Sequence, residues 1–128
     1  MKAPLPVLQQ LVKSGHLHGL TGNQPPQREQ ASLQALLSIR SRTFLHEYDM
    51  LFRRVSLWLF AQGYALTNYQ PHHVLACVCA LYAEQREVRE MISSRHALKY
   101  GTGAPTQGAI VVLSNLLVHF TELTNTSR

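Results

Sequence analysis

Apolar residues recur at helical spacing along most of the chain, and the pattern is most regular in its middle third. There, side chains that would share one helical face follow mainly at steps of three and four: Phe44, Tyr48, Leu51, Val55, Trp58, Leu59 and Gln62. This spacing is typical of an amphipathic α-helix with one buried side. The pattern predicts one long helix from about Arg42 to Gln62, with Gly63 as its C-cap.

Shorter segments on both sides of the long helix show the same kind of pattern. The further predicted helices are Leu5 to Lys13, Arg28 to Arg40, His72 to Tyr82, Glu84 to Tyr100, and Thr106 to about Leu123. Pro71 suits the first turn of the fourth helix. The polar, Gly- and Pro-rich segments Gly19 to Gln27 and Tyr64 to Pro71 are predicted connections.

No β-rich stretch is evident, so the expected fold class is all-α, a compact antiparallel bundle of four to five helices. We expect residues 1–27 to form a short helix and a linker, residues 28–124 to form the bundle, and residues 125–128 to form a disordered tail.

Composition adds limits on partners and location. The 128 residues suffice for one domain with its own core. The net charge of +5 suits a partner that carries phosphates, or an acidic protein, but it also fits many inert domains. The longest apolar run, Val74 to Tyr82, is too short to cross a bilayer, and no signal peptide pattern is present. We therefore expect a cytoplasmic protein without a membrane partner.

The two cysteines are expected to be packing residues. Cys77 and Cys79 are separated by one residue, which on a helix turns their side chains about 200° apart. Such a pair cannot form a disulfide or share a metal ion. The adjacent His72 and His73 are also a poor metal pair, and the sequence predicts no metal site.

Arg95 stands out among the charged residues because it shares the inward stripe of its helix with Met91, Ile92 and Leu98. A buried guanidinium needs a carboxylate or phosphate partner. Asp49 and Glu47 are the candidate carboxylates. Three interpretations stay open at this point: a side chain at the edge of the core, a buried ion pair, or a functional site.

A second stripe of the same helix holds Arg89, Ser93, His96 and Tyr100. It offers a cation, an imidazole and a phenol to one ligand, because arginine suits phosphate oxygens and histidine exchanges protons near neutral pH. The alternative is an ordinary solvated face.

Three segments together resemble the HEPN family (higher eukaryote and prokaryote nucleotide-binding domains). They are EYDMLFRRVSLWLFAQGY (Glu47 to Tyr64), QPHHVLACVCALY (Gln70 to Tyr82) and SRHALKYG (Ser94 to Gly101). The similarity covers roughly Arg28 to Leu123. It implies a bundle of four or five helices, RNA or a nucleotide as the ligand, a homodimer, and no cofactor. It also implies a role in a toxin–antitoxin pair, with a nucleotidyltransferase as the partner protein.

The ribonuclease members of this family use an Arg-x4–6-His motif. Arg95, followed by His96, matches its first half, but no histidine occurs from Ala97 to Val118. The candidate catalytic residues are therefore Arg95, His96 and Tyr100, with Asp49, Arg53, His72, His73 and Arg89 as candidate ligand-binding residues. We expect an RNA- or nucleotide-binding protein with a degenerate ribonuclease motif. The alternatives are an active metal-independent ribonuclease with a rearranged site, and a non-catalytic helical adaptor.

Overall fold

The computed structural model describes residues 4–21, 26–40 and 43–125. These residues form six helices: α1 (Pro4–Lys13), α2 (Gln27–Leu37), α3 (Phe44–Ala61), α4 (Pro71–Cys79), α5 (Gln85–Lys99) and α6 (Gln107–Asn125). Two short strands, β1 (Leu17–Gly19) and β2 (Tyr64–Leu66), complete the fold. The predicted all-α class is confirmed: with the N-terminal helix α1 the described residues hold six helices, of which α2 to α6 fall in the region predicted as a bundle of four to five.

The long helix α3 forms the centre of the molecule, as its apolar pattern predicts. Tyr48, Leu51, Val55, Trp58 and Leu59 are all buried. The helix begins after Thr43, whose Oγ1 accepts a hydrogen bond of 3.2 Å from the backbone N–H of His46. The predicted start at Arg42 lies outside the described residues.

Gly63 ends α3 as the sequence predicts. Its φ is +93°, in the left-handed region that glycine adopts without steric cost. Its backbone N–H donates to the carbonyl of Phe60 at 3.0 Å. This turn brings the chain directly into β2.

β1 and β2 form a small antiparallel sheet, so the predicted connection from Tyr64 to Pro71 begins with a strand. Leu17 pairs with Leu66, and Gly19 pairs with Tyr64. Strands of three residues are too short to show an alternating pattern, so they could not be predicted from the sequence. The sheet ties the end of α1 to the end of α3.

The first helix packs on the bundle rather than standing apart from it. Leu8 and Leu11 belong to the same core cluster as the buried residues of α3. Leu17 of β1 joins that cluster too. The described part of residues 1–27, for which a short helix and a linker are predicted, thus shares the core of the bundle.

Helices α4 and α5 are separate elements rather than one bent helix. The turn between them runs from Ala80 to Glu84. The last helix extends to Asn125, one residue into the predicted tail, and residues 126–128 lie outside the described residues. None of the described helices combines the length and the apolar composition that a membrane crossing requires.

Candidate functional site

Four of the residues singled out by sequence line one cavity of about 460 Å³. They are Asp49 and Arg53 from α3, His72 from α4 and Arg95 from α5. One turn of α3 carries both Asp49 and Arg53, because residues four apart share a helical face. The cavity therefore joins side chains from three helices that are far apart in the chain.

Helix α2 supplies the opposite, mostly apolar wall of this cavity. Ser32, Ala35 and Leu36 of α2 line it with Ile39, which follows the helix, and Phe52 of α3 completes the apolar part. None of these five residues was a candidate from the sequence. Their contribution depends on how α2 packs against α3, which no local pattern reveals.

Arg95 is half-buried, and its guanidinium stacks on the ring of Tyr48. The guanidinium carbon lies 5.1 Å from the ring centroid, a distance at which a cation is attracted to an aromatic face. Among the described residues Arg95 makes no ion pair, so neither Asp49 nor Glu47 neutralises it at close range. Arg95 thus lies at the edge of the core and also faces a cavity.

Tyr48 connects this cavity to the core. Tyr48 is 0% exposed, and its hydroxyl oxygen lies 3.0 Å from Nδ1 of His72, which lines the cavity. Burial raises the pKa of the Tyr48 phenol well above its ordinary value, while the charge of Arg95 acts in the opposite direction. The phenol therefore stays protonated near neutral pH and holds the imidazole ring in place.

His72 is neutral near pH 7 in this environment. Burial lowers the pKa of its imidazole, and the positive charges of Arg95 and Lys99 lower it further, whereas Asp49 acts in the opposite direction. The ring also packs against Phe52, with the centroids 5.1 Å apart. A neutral imidazole of this kind can accept or donate one proton.

The other two candidate catalytic residues do not line this cavity. His96 is exposed on α5 and Tyr100 is exposed directly after it, and their rings are in tilted contact with the centroids 4.5 Å apart. Arg89 and Ser93 are exposed on the same side of α5. Arg95 and His96 are adjacent on a helix, so their side chains point about 100° apart.

His73 and Arg89 line a different part of the surface. Both border a cavity of about 380 Å³ that also contacts Cys77 and Val88. Nε2 of His73 lies 3.6 Å from Sγ of Cys77. The predicted ligand-binding residues therefore fall into two sites, because His72 and His73 in the first turn of α4 point in different directions.

The cysteines differ in their surroundings. Cys79 is buried, and burial raises the pKa of its thiol to about 12, so it stays protonated and packs as an apolar residue. Cys77 is half-buried beside His73. In the described residues, no group of three or more His, Cys, Asp or Glu side chains is arranged to hold a metal ion.

A larger cavity of about 840 Å³ lies beside the turn between α4 and α5. Tyr82, Glu84, Glu87, Asn115 and His119 line it. His119 was not a candidate from the sequence, and its Nε2 is buried without a hydrogen-bond partner among the described residues. Because carboxylates and no Lys or Arg line this cavity, it is unsuited to a phosphate.

Comparisons with protein families, with curated proteins and with solved structures give no significant match. The HEPN resemblance therefore stays a prediction that rests on the three sequence segments. The toxin–antitoxin role, the nucleotidyltransferase partner and the homodimer likewise stay predictions.

Proposed function

We propose that the protein binds the phosphate group of a nucleotide or of RNA in the cavity lined by Arg53, His72 and Arg95. The observation that carries this proposal is the convergence of two arginines and a neutral histidine, from three helices, on one cavity. Arginine is the side chain best suited to phosphate oxygens, because its planar fork can donate two parallel hydrogen bonds.

The charge of the cavity supports an anionic ligand. Two guanidinium groups face one carboxylate, that of Asp49, so the lining is net positive when His72 is neutral. Arg95 is partly desolvated and lacks a described carboxylate partner. A desolvated cation of this kind gains from an incoming anion, while stacking on Tyr48 fixes its direction.

The shape of the cavity supports a nucleotide rather than a free phosphate ion. Its volume of about 460 Å³ falls in the ordinary range for small-molecule sites, about 300 to 1,000 Å³. Leu36, Ile39 and Phe52 provide an apolar side against which a base can pack. RNA-binding proteins commonly combine phosphate contacts with base packing on such surfaces.

Binding measurements on substituted proteins test this proposal. The probe is a dinucleoside monophosphate such as ApA, whose single phosphodiester keeps one charge between pH 5 and 8. We expect Arg95→Gln and Arg53→Gln each to weaken binding about tenfold, the effect of losing a charge-assisted hydrogen bond. Arg86→Gln is the matched control, because Arg86 is an exposed arginine on the same helix as Arg95.

The control separates a specific site from general attraction to a basic protein. Arg86→Gln is expected to change the affinity less than twofold. Equal losses in all three variants would show that only the net charge matters. Absence of saturable binding to ApA and to short RNA would refute the proposal and favour the adaptor interpretation.

A second candidate function, metal-independent RNA cleavage, is favoured by the contact between Tyr48 and His72. With Nδ1 of His72 donating to the Tyr48 oxygen, Nε2 can accept the proton of a 2′-hydroxyl. The 2′-oxygen then attacks phosphorus, the 5′-oxygen leaves with a proton from water, and Arg95 stabilises the charge on the phosphate. Cleavage that leaves 2′,3′-cyclic phosphate ends, and that His72→Asn abolishes, would establish this activity.

A further inference from the structure

Two neighbouring cavities lie along a side of α4 that differs from the one facing the nucleotide site. One cavity, of about 420 Å³, lies between α1 and α4, and the other, of about 380 Å³, lies between α4 and α5. Val7, His73 and Cys77 line both of them. The two cavities are adjacent through these shared residues and together form the α4 groove.

Most of the α4 groove is apolar. Its apolar lining comes from α1, from α4 with its following turn, and from α5, and includes Pro6, Val7, Leu11, Ala76, Leu81 and Val88. Such a lining favours the alkyl chain of a ligand, since its CH₂ groups are removed from water on binding.

The ionisable side chains that line the α4 groove are histidines, an arginine and a cysteine, and none is a carboxylate. His16, His73 and Arg89 line it together with Cys77, and the described lining residues include no Asp or Glu. The cavity beside His119 shows the opposite composition, with Glu84 and Glu87 and no Lys or Arg. The α4 groove is therefore the apolar site of this molecule whose charges complement an anion.

Arg89 is the group that remains available to hold an anionic head. Both ring nitrogens of His16 are already engaged, since Nδ1 lies 2.6 Å from Oγ of Ser14 and Nε2 lies 2.9 Å from Oε1 of Gln70. Nε2 of His73 contacts the sulfur of Cys77. Arg89 is exposed and borders the α5 end of the α4 groove.

We infer that the α4 groove binds a fatty acid, with its carboxylate at Arg89 and its alkyl chain running past His73 and Cys77 toward Pro6. This assignment gives Arg89 and His73 a ligand different from the nucleotide proposed for Arg53, His72 and Arg95. The two sites share no lining residue, so each can be tested without the other.

Titration of the full-length protein with decanoate, below its micellar concentration, tests the inference. Backbone amide resonances should shift saturably at Ala76, Val88 and Arg89. Arg89→Glu is expected to weaken decanoate binding at least tenfold. Arg86→Glu makes the same charge change one turn earlier on α5 and is expected to weaken binding less than twofold.

Two further measurements make the result decisive. Val7→Trp fills the shared part of the α4 groove and should abolish binding, while circular dichroism confirms that the helices remain. Decyltrimethylammonium carries the same chain with a positive head and should bind much more weakly than decanoate. The inference is overturned if decanoate fails to saturate, if its shifts map to Arg53 and Arg95, or if the cationic amphiphile binds equally well.

Discussion

At the scale of single residues, Arg54 shows how a buried cation can serve the fold rather than a ligand. It neighbours Arg53 of the nucleotide site, but its side chain is only 9% exposed. Its Nη1 donates hydrogen bonds of 3.0 Å to Oγ1 of Thr124 and to Oδ1 of Asn125. Both acceptors lie in the last turn of α6, where a positive charge is also favoured by the helix dipole.

Replacement of this arginine should therefore reduce stability. We expect Arg54→Ala to lower the free energy of unfolding by about 2 kcal/mol, because two hydrogen bonds and a packed alkyl stem are lost. Urea denaturation measures the change. The exposed Arg86→Ala should stay within about 0.5 kcal/mol of the wild type, and a similar loss in both variants would contradict a structural role for Arg54.

His72 should make stability depend on pH in a defined direction. Its pKa is lowered by burial and by neighbouring cations, so the unfolded chain takes up the proton first as the pH falls. The contribution of the neutral imidazole is therefore fully present above about pH 6.5 and decreases below it. In His72→Asn this contribution is absent, although the side-chain amide of asparagine can still form a hydrogen bond with the Tyr48 hydroxyl.

Thermal unfolding at pH 7 and at pH 5 checks this expectation. The wild type should lose more stability than His72→Asn between the two values. His96→Asn, at an exposed position on α5, is the control and should follow the wild type. If His72→Asn loses as much stability as the wild type, the neutral state of His72 in the folded chain is disproved.

At the scale of elements, the helices were predictable and the sheet was not. The stripe that includes Tyr48, Leu51 and Val55 fixes the buried face of α3, and the structure confirms it. β1 and β2 contain three residues each, and their pairing joins positions nearly fifty residues apart in the chain. Such pairing depends on tertiary contacts, which periodicity does not report.

The turn at Gly63 gives a prediction at this scale. Gly63 has a φ of +93°, and no atom lies within 4 Å of the position a Cβ would take. The cost of Gly63→Ala is therefore conformational, about 1 to 2 kcal/mol of unfolding free energy. Gly19→Ala is the matched control, because Gly19 has equal space but no left-handed φ.

Denaturant unfolding of the two variants separates conformation from packing. Gly19→Ala should be neutral or slightly stabilising, since it only restricts the unfolded chain. An equal loss of unfolding free energy in both variants would mean that the left-handed φ of Gly63 does not cause the loss.

At the scale of the whole molecule, α1 and the remaining helices share one core. Leu8 is 2% exposed and belongs to the cluster that contains Leu51, Val55 and Phe120. Leu8→Ala should lower the unfolding free energy by about 2 to 4 kcal/mol and shift a single cooperative transition. Leu5→Ala changes a residue that is 54% exposed and should have little effect.

A melting curve with two steps, or an unchanged main transition in Leu8→Ala, would contradict this shared core. In that case α1 would unfold separately from the rest of the bundle. Fluorescence of Trp58, which lies in the same cluster, reports the transition.

The candidate site was predictable only in part for the same reason. Helical spacing identified Arg95 as inward-facing, and Asp49, Arg53 and His72 were also selected from the sequence. The wall from α2 and the role of Tyr48 beneath Arg95 depend on how helices cross, so they appear only in the structure. His96 and Tyr100 were selected because they follow Arg95 in the HEPN-like segment. Both are exposed, His96 on α5 and Tyr100 directly after it, and neither lines that cavity.

The consecutive histidines that open α4 have one more consequence. His72 lines the nucleotide cavity and His73 lines the α4 groove, because adjacent residues on a helix point about 100° apart. The nucleotide cavity thus contains one imidazole, whereas the α4 groove contains two because His16 lines it as well. The ring protons of imidazoles resonate apart from most other signals. The ring signals of His72 and His73 therefore report on the two sites separately, so a one-dimensional proton spectrum would show which site a ligand has entered.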